Sequence, residues 1–266
     1  MEDLQSLARL VESGMRLALP VDYAGVSMAM VHPLIERGIS DLDVVCVPTG
    51  GLQVDMLVGA GVVRSVETSA ISLGEAGGAP CFNRAVKEGS IVVRDATCPA
   101  IHTGLLAAQK GVPFMPMRGL IGSDVLRYRQ DWKTVDNPFA EASDPIVLIP
   151  AIRPDVAIFH VPMADRHGNV WIGRRRELAA MAYASAVTLV TAERIVDKNL
   201  LSDEVTATGT LPSLYVTAVA QVTRGAWPYG LWGEYSADTQ ELMRYAREAR
   251  TAQGFSAYMA GFGEAA

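Results

Sequence analysis

Unbroken runs of apolar residues, rather than strict alternation, are the dominant pattern along the chain. They fall at residues 42–47, 62–70, 91–94, 146–149, 156–161, 187–191 and 215–222, and Val and Ile dominate them. A strand reads this way when both faces of its sheet are covered, because alternation records one wet face. Between many of these runs lie stretches with helical spacing at 23–37, 52–59, 82–88, 100–110 and 177–184. The alternation of the two patterns predicts an α/β layer fold.

Helix stops are legible at Gly38, Gly89 and Gly111, which follow Arg37, Glu88 and Lys110 at the ends of amphipathic stretches. Glycine there suits a left-handed C-terminal cap. Residues 126–144 carry most of the mid-chain aromatic and charged residues without periodicity, and predict a long surface excursion. No repeat, low-complexity tract or convincing linker divides the chain. The expectation is one domain over residues 1–266, with a segment from about Asp238 forming a final charged helix.

Composition narrows the function classes. With 266 residues, half of them hydrophobic, the chain can bury a sizeable core. The net charge of -6 argues against a general binder of nucleic-acid backbones. The acidic start at Glu2 and Asp3 does not read as a secretory signal, and Gly, Pro or charge interrupts every apolar run before membrane-spanning length. A cytoplasmic protein is expected. Cys46, Cys81 and Cys98 are odd in number and widely spaced, which suits neither a disulfide framework nor a Cys-rich zinc site.

Several segments carry candidate chemistry. Thr49-Gly50-Gly51 follows the run at 42–47 and precedes a helical stretch, so its amides either face a ligand at a strand end or simply make a tight turn. Arg118 lies among the glycines of the segment 117–124, which includes Gly122 and Ser123; it suits a carboxylate or an acyl-CoA, or else pairs with a surface acid. Asp165 to Asn169, near His160, has no metal-ligand spacing and reads as a turn with Gly168 in the left-handed region. Thr97-Cys98-Pro99 puts Cys98 at a helix start, where a nucleophile is conceivable. A small structural cysteine fits better, since His102 has no third group to orient it. Glu67 and Glu75 are acids in apolar surroundings without a recognisable activating neighbour. Arg174-Arg175-Arg176 reads as a phosphate contact or, at least as well, as a solvated face.

Taken in order, these segments resemble the alpha subunit of family I CoA-transferases, of the glutaconate CoA-transferase type. The resemblance runs from about Leu7 to Tyr258. It rests on Gly38-Ile39-Ser40-Asp41-Leu42, Gly50-Gly51 with Asp55 to Gly59, Val112 to Pro116, Gly122-Ser123, Asp136-Asn137-Pro138-Phe139, Pro154 to His160 with Asp165 and Gly168-Asn169, and Arg224-Gly225-Ala226-Trp227-Pro228. It implies an open α/β fold with a mixed, mostly parallel sheet flanked by helices, and an active site between two related subunits. It further implies that the attacking glutamate lies on a beta subunit, so no catalytic residue is assigned to this chain. CoA moves through a glutamyl-CoA intermediate while amides hold the oxyanion, with a CoA thioester as substrate and no permanent cofactor or metal.

Relatives on this scaffold include ring-opening hydrolases and an acyl-CoA decarboxylase. In the hydrolases an arginine at the position of Arg118 faces the site, while their accompanying acid aligns with Cys98, which argues against hydrolysis here. A Gly-rich loop common in the family is replaced by residues 17–25, where only Gly25 remains; Pro20 removes an amide donor, and Asp22 and Tyr23 add side chains. The leading expectation is the alpha subunit of a heteromeric CoA-transferase, whose Arg118 holds a substrate carboxylate and whose Gly50, Gly51, Gly122, Ser123 and Cys98 shape the pocket. Asp22 and Tyr23 then tune specificity. The alternatives are either a hydrolase or decarboxylase subunit, or else a non-catalytic subunit that binds acyl-CoA.

Overall fold

The structure, a computed structural model, describes residues 2–262. In chain order the strands are β1 (Arg16–Pro20), β2 (Leu42–Val47), β3 (Val63–Thr68), β4 (Val92–Asp95), β5 (Phe114–Met117), β6 (Lys133–Asp136), β7 (Pro145–Pro150), β8 (Val156–Asp165), β9 (Val170–Trp171), β10 (Val187–Val196), β11 (Thr210–Leu211) and β12 (Ala218–Gln221). The helices are α1 (Leu4–Arg9), α2 (Val31–Glu36), α3 (Leu52–Gly59), α4 (Pro80–Glu88), α5 (Cys98–Gln109), α6 (Val125–Tyr128), α7 (Arg176–Ala184), α8 (Glu204–Ala207), α9 (Thr239–Glu248) and α10 (Ala252–Gly261).

Parallel pairing runs across the main sheet in the order β12-β10-β8-β1-β2-β3-β4, and the short β9 and β11 extend it antiparallel. The unbroken apolar runs have a direct cause. On β1, Leu17 and Leu19 enter one core with Val44, Cys46 and the helices α1 to α3, while Ala18 enters the opposite core with Val45, Val47 and residues of α5 and α7. A third cluster docks α9 and α10 onto Leu52 and Met56 of α3. Strand order reverses at β1: β2, β3 and β4 lie to one side, β8, β10 and β12 to the other. Such a switch point leaves a crevice beyond the carboxyl ends of the strands, where ligands of open α/β folds bind.

Local sequence explains the element ends. Thr97 caps α5 by accepting from the Ala100 amide, and Pro99 fills the first turn. Gly38, Gly89 and Gly111 take φ of 65°, 68° and 68°, as their cap positions require. The stretch at 52–59 is helix throughout.

Four readings are corrected. Residues 17–20, read as part of a loop replacement, lie in the buried strand β1, and the loop proper begins only at Asp22. Residues 126–144 are not a bare excursion: they hold α6 and β6, and β6 joins β7 and β5 in an antiparallel sheet of their own. Every residue of β6 is exposed, so burial left no apolar pattern to read. The stretch 23–37 is broken, because Gly25 at φ 85° stops a short 3-10 turn before a second one leads into α2. The C-terminal charged segment is two helices, α9 and α10, the second started by Thr251, which accepts from the Gly254 amide at 3.0 Å. Among the described residues no helix is long and apolar enough to cross a membrane.

Candidate functional site

The carboxyl ends of β1 to β4 form a row. Asp22 follows β1, Pro48 to Gly51 follow β2, Ser69 follows β3 and Cys98 follows β4. Backbone bonds tie the row together: the Gly50 amide donates to the Ala70 carbonyl at 2.9 Å and the Ser69 amide to the Pro48 carbonyl at 3.1 Å. Ser69 Oγ also donates to that carbonyl and lies 3.1 Å from Cys98 Sγ.

Asp22 stands at the switch point. Its carboxylate packs on the bare Cα of Gly51, so close that a Cβ there would meet Asp22 Oδ1 at 1.8 Å. Oδ1 is buried and has no hydrogen-bond partner. Burial pushes the carboxyl up to about 7, opposed by a hydrogen bond from the Tyr229 hydroxyl. That hydroxyl accepts from the Leu52 amide at 2.8 Å, which satisfies a free donor at the start of α3.

A cleft of about 590 Å³ opens beside Asp22, lined also by Tyr23, Arg175, Tyr229, Trp232 and Tyr235. The Arg175 guanidinium carbon lies over the indole of Trp232, 3.3 Å from its centroid. Arg175 Nε and Trp232 Nε1 are buried without partners. Desolvation lowers the Arg175 pKa and neighbouring Arg174 lowers it further, against Glu177. Of the five buried side-chain polar atoms without partners among the described residues, three therefore belong to this one cleft. Buried polar groups are ordinarily paired, so such a concentration marks a place built for a ligand.

Glu193 of β10 holds the wall that carries Tyr229 and Trp232. It accepts from the Arg224 and Gly225 amides at 2.7 and 3.1 Å and from the Tyr235 hydroxyl at 2.8 Å, and it lies 2.7 Å from His160 Nε2. Burial raises this carboxyl, but the bonds from His160, Arg224 and Tyr235 outweigh it and leave the pKa below the ordinary value. Gly225 lets the wall approach, since a Cβ there would stand 2.5 Å from the His160 ring. Sequence reasoning missed Glu193, Tyr229 and Trp232 as site residues, where the Gly-Ala-Trp-Pro run was the available signal, and it offered Arg175 only as one of an arginine triplet.

The expected residues divide. Asp22 and Tyr23 line the cleft, and Tyr23 also borders a second cavity of about 510 Å³ with Pro48, His102, Arg176 and Glu177. Gly50 makes a close turn, since Cys46 Sγ would lie 2.8 Å from a Cβ there, and its amide and carbonyl are bonded to Ala70 and Ser72. Gly122 sits at φ 81° in a turn closed by Ser123 N and Oγ donating to the Leu120 carbonyl. Arg118 is exposed and paired to Asp144, with Nε at 3.0 Å from Oδ1; it realises the surface-pair alternative and lines neither cavity. Cys98 is exposed, which removes the ground for a buried structural cysteine. Glu67 is buried between Arg16 and Arg129, the latter at 2.7 Å, while Glu75 is exposed. Asp165 accepts from the His167 and Asn169 amides with Gly168 at φ 85°, the expected turn. Arg174 and Arg176 are exposed as a solvated face predicts, whereas Arg175 turns inward.

A crevice at a switch point, backed by a mostly parallel sheet, defines an α/β protein with a small-molecule site. The family model described as Coenzyme A transferase matches residues 1–221, and the chain belongs to that family. A cholesterol ring-cleaving hydrolase IpdA subunit of Rhodococcus jostii is 31% identical over 88% of this chain and 81% of its own length. A 3-oxoadipate CoA-transferase subunit of Pseudomonas knackmussii is 28% identical over 96% and 90%. A longer Archaeoglobus fulgidus protein described as uncharacterized is 30% identical, and this chain spans 57% of its length. Among solved structures, glutaconate coenzyme A-transferase from Acidaminococcus fermentans superposes with a TM-score of 0.89 at 26% identity, covering 98% of this chain and 87% of that one. The decarboxylase AibA/AibB superposes with a TM-score of 0.84 at 28% identity, covering 97% of each chain.

Proposed function

We propose that this chain is the alpha subunit of a heteromeric CoA-transferase that moves CoA between an acyl-CoA and a carboxylic acid. One observation carries the reading beyond family membership. The row at the strand ends offers Asp22, Gly51, Ser69 and Cys98 but no glutamate, and the buried Glu67 is locked between two arginines. A partner chain then supplies the attacking glutamate. Its carboxylate attacks the thioester carbonyl and expels CoA thiolate, forming an anhydride. The thiolate next attacks the glutamyl carbonyl, leaving glutamyl-CoA on the enzyme and releasing the first acid. An incoming acid reverses the two steps and leaves as the new acyl-CoA. Strand-end amides and the Asp22 carboxyl of this chain shape the acyl pocket, where preorganised donors stabilise the tetrahedral oxyanions.

The test is coexpression with the product of the neighbouring gene, followed by CoA exchange between an acyl-CoA and a labelled acid. Exchange by the pair and none by either chain alone is expected. Turnover by this chain alone, through one of its own acids, overturns the scheme. The hydrolase and decarboxylase names among the relatives support a second reading on the same scaffold. Release of free CoA or carbon dioxide without an acceptor acid selects it.

A further inference from the structure

We infer that Arg175, stacked on Trp232 in the cleft beside Asp22, is the receptor for a carboxylate carried by the acyl group of the substrate. The inference deepens the CoA-transferase reading and rests on it for the kind of ligand, but the receptor itself stands on geometry. Arg16, Arg64, Arg118, Arg129, Arg194 and Arg244 all have carboxylate partners. Arg175 has none among the described residues, although its Nε is buried. A desolvated guanidinium without a counter-ion is costly, and an arriving anion removes that cost. The indole lies against the guanidinium, with its centroid 3.3 Å from Cζ, and holds it in place. The in-plane donors are left to form the two-pronged contact that carboxylates accept.

The rest of the cleft fits that occupant. Trp232 is pinned from behind: a Cβ on Gly25 would lie 3.2 Å from its ring. The acids lining the cleft are Asp22 and Glu234, and Glu234 is paired to Arg194. Asp22, held protonated up to about pH 7, adds a hydrogen-bond donor rather than a competing charge. Tyr229 and Tyr235 on the same wall have hydroxyls already engaged, so the lining leaves Arg175 as the anchor. The cleft volume of about 590 Å³ is of ligand size.

The test has two arms. In the reconstituted complex, Arg175→Met should raise KM for glutaryl-CoA by about 30-fold, with valeryl-CoA changed less than about threefold and kcat nearly unchanged, the loss expected for a charge-assisted contact. An equal rise for both thioesters means that Arg175 holds a phosphate of CoA, and overturns the assignment. Weakened assembly, with KM for both thioesters unchanged once excess partner chain restores the complex, means that a partner carboxylate occupies Arg175, and overturns it too. The second arm uses the unsubstituted full chain: glutarate, but not adenosine 3′,5′-bisphosphate, should protect Arg175 from phenylglyoxal. Protection by glutarate in the absence of any CoA exchange leaves the receptor standing and sinks the transferase reading. Exchange with no protection and no KM change for Arg175→Met sinks the receptor alone.

Discussion

Two buried aspartates, Asp22 and Asp55, face opposite demands. Asp55 of α3 accepts from the Phe82 amide at 2.7 Å, the Cys81 amide at 3.3 Å and the Tyr245 hydroxyl at 2.6 Å. Burial raises its pKa, but these donors at the start of α4 oppose the shift and join three helices through one carboxylate. Asp22 has the Tyr229 hydroxyl as its opposing partner and keeps one oxygen unpaired. The first arrangement is saturated and holds the fold. The second is unsaturated and open to a cleft, which is the signature of a group awaiting a ligand.

The contrast can be broken most forcefully at Asp55. Asp55→Ala leaves two amides and a hydroxyl without their acceptor, so urea melts should show a loss of about 3–4 kcal/mol. Next comes Gly51→Ala, whose Cβ would collide with the Asp22 carboxylate. It should cost about 2–3 kcal/mol, and adding Asp22→Ala should restore most of that; a double variant no better than the single one would show that the clash is not the cause. Glu193→Gln, which replaces one carboxylate oxygen with a donor amid the donors of the wall, should cost about 1–2 kcal/mol and expose residues 224–237 to faster hydrogen exchange.

The smallest effect concerns pH. Asp22 titrates at about 7 in the folded chain, well above the ordinary 3.8, so the native state binds the extra proton between these values. Its contribution is therefore intact in acid and is lost as pH rises toward 7. Asp22→Asn should change stability at pH 4 by less than about 1 kcal/mol and should flatten the decline between pH 4 and 7. An unchanged slope would place the titration elsewhere.

The cores were legible where covered strands are apolar throughout, as Val44 to Val47 are; β1 was not, because Leu17 to Pro20 stand where a glycine-rich loop was expected. The small β5-β7-β6 sheet was not, since its outer strand is fully exposed and no burial pattern is written into Lys133 to Asp136. At the site, Asp22 and Tyr23 stood out by replacing glycines. Arg175 did not, for a simple reason: three consecutive arginines look alike in one dimension, and the turn before α7 sends only the middle one beneath Trp232. The Arg118 pair was hidden as well, because Asp144 lies 26 positions away in sequence and only the antiparallel pairing of β5 with β7 brings the two together.

The way Glu193 grips its neighbours has a further bearing on how this scaffold diversifies. Two of its contacts are to main-chain amides, at Arg224 and at Gly225, which are independent of the side chains of the strap that follows. Trp232 can then be exchanged while the sheet beneath keeps its register, with Gly230, whose Cβ would meet the Ala237 backbone at 2.8 Å, and Gly233, at φ 78°, holding the shape of the strap. The lining of the cleft is thus adjustable at one position of a tethered strap, with no need to redesign the body that carries it.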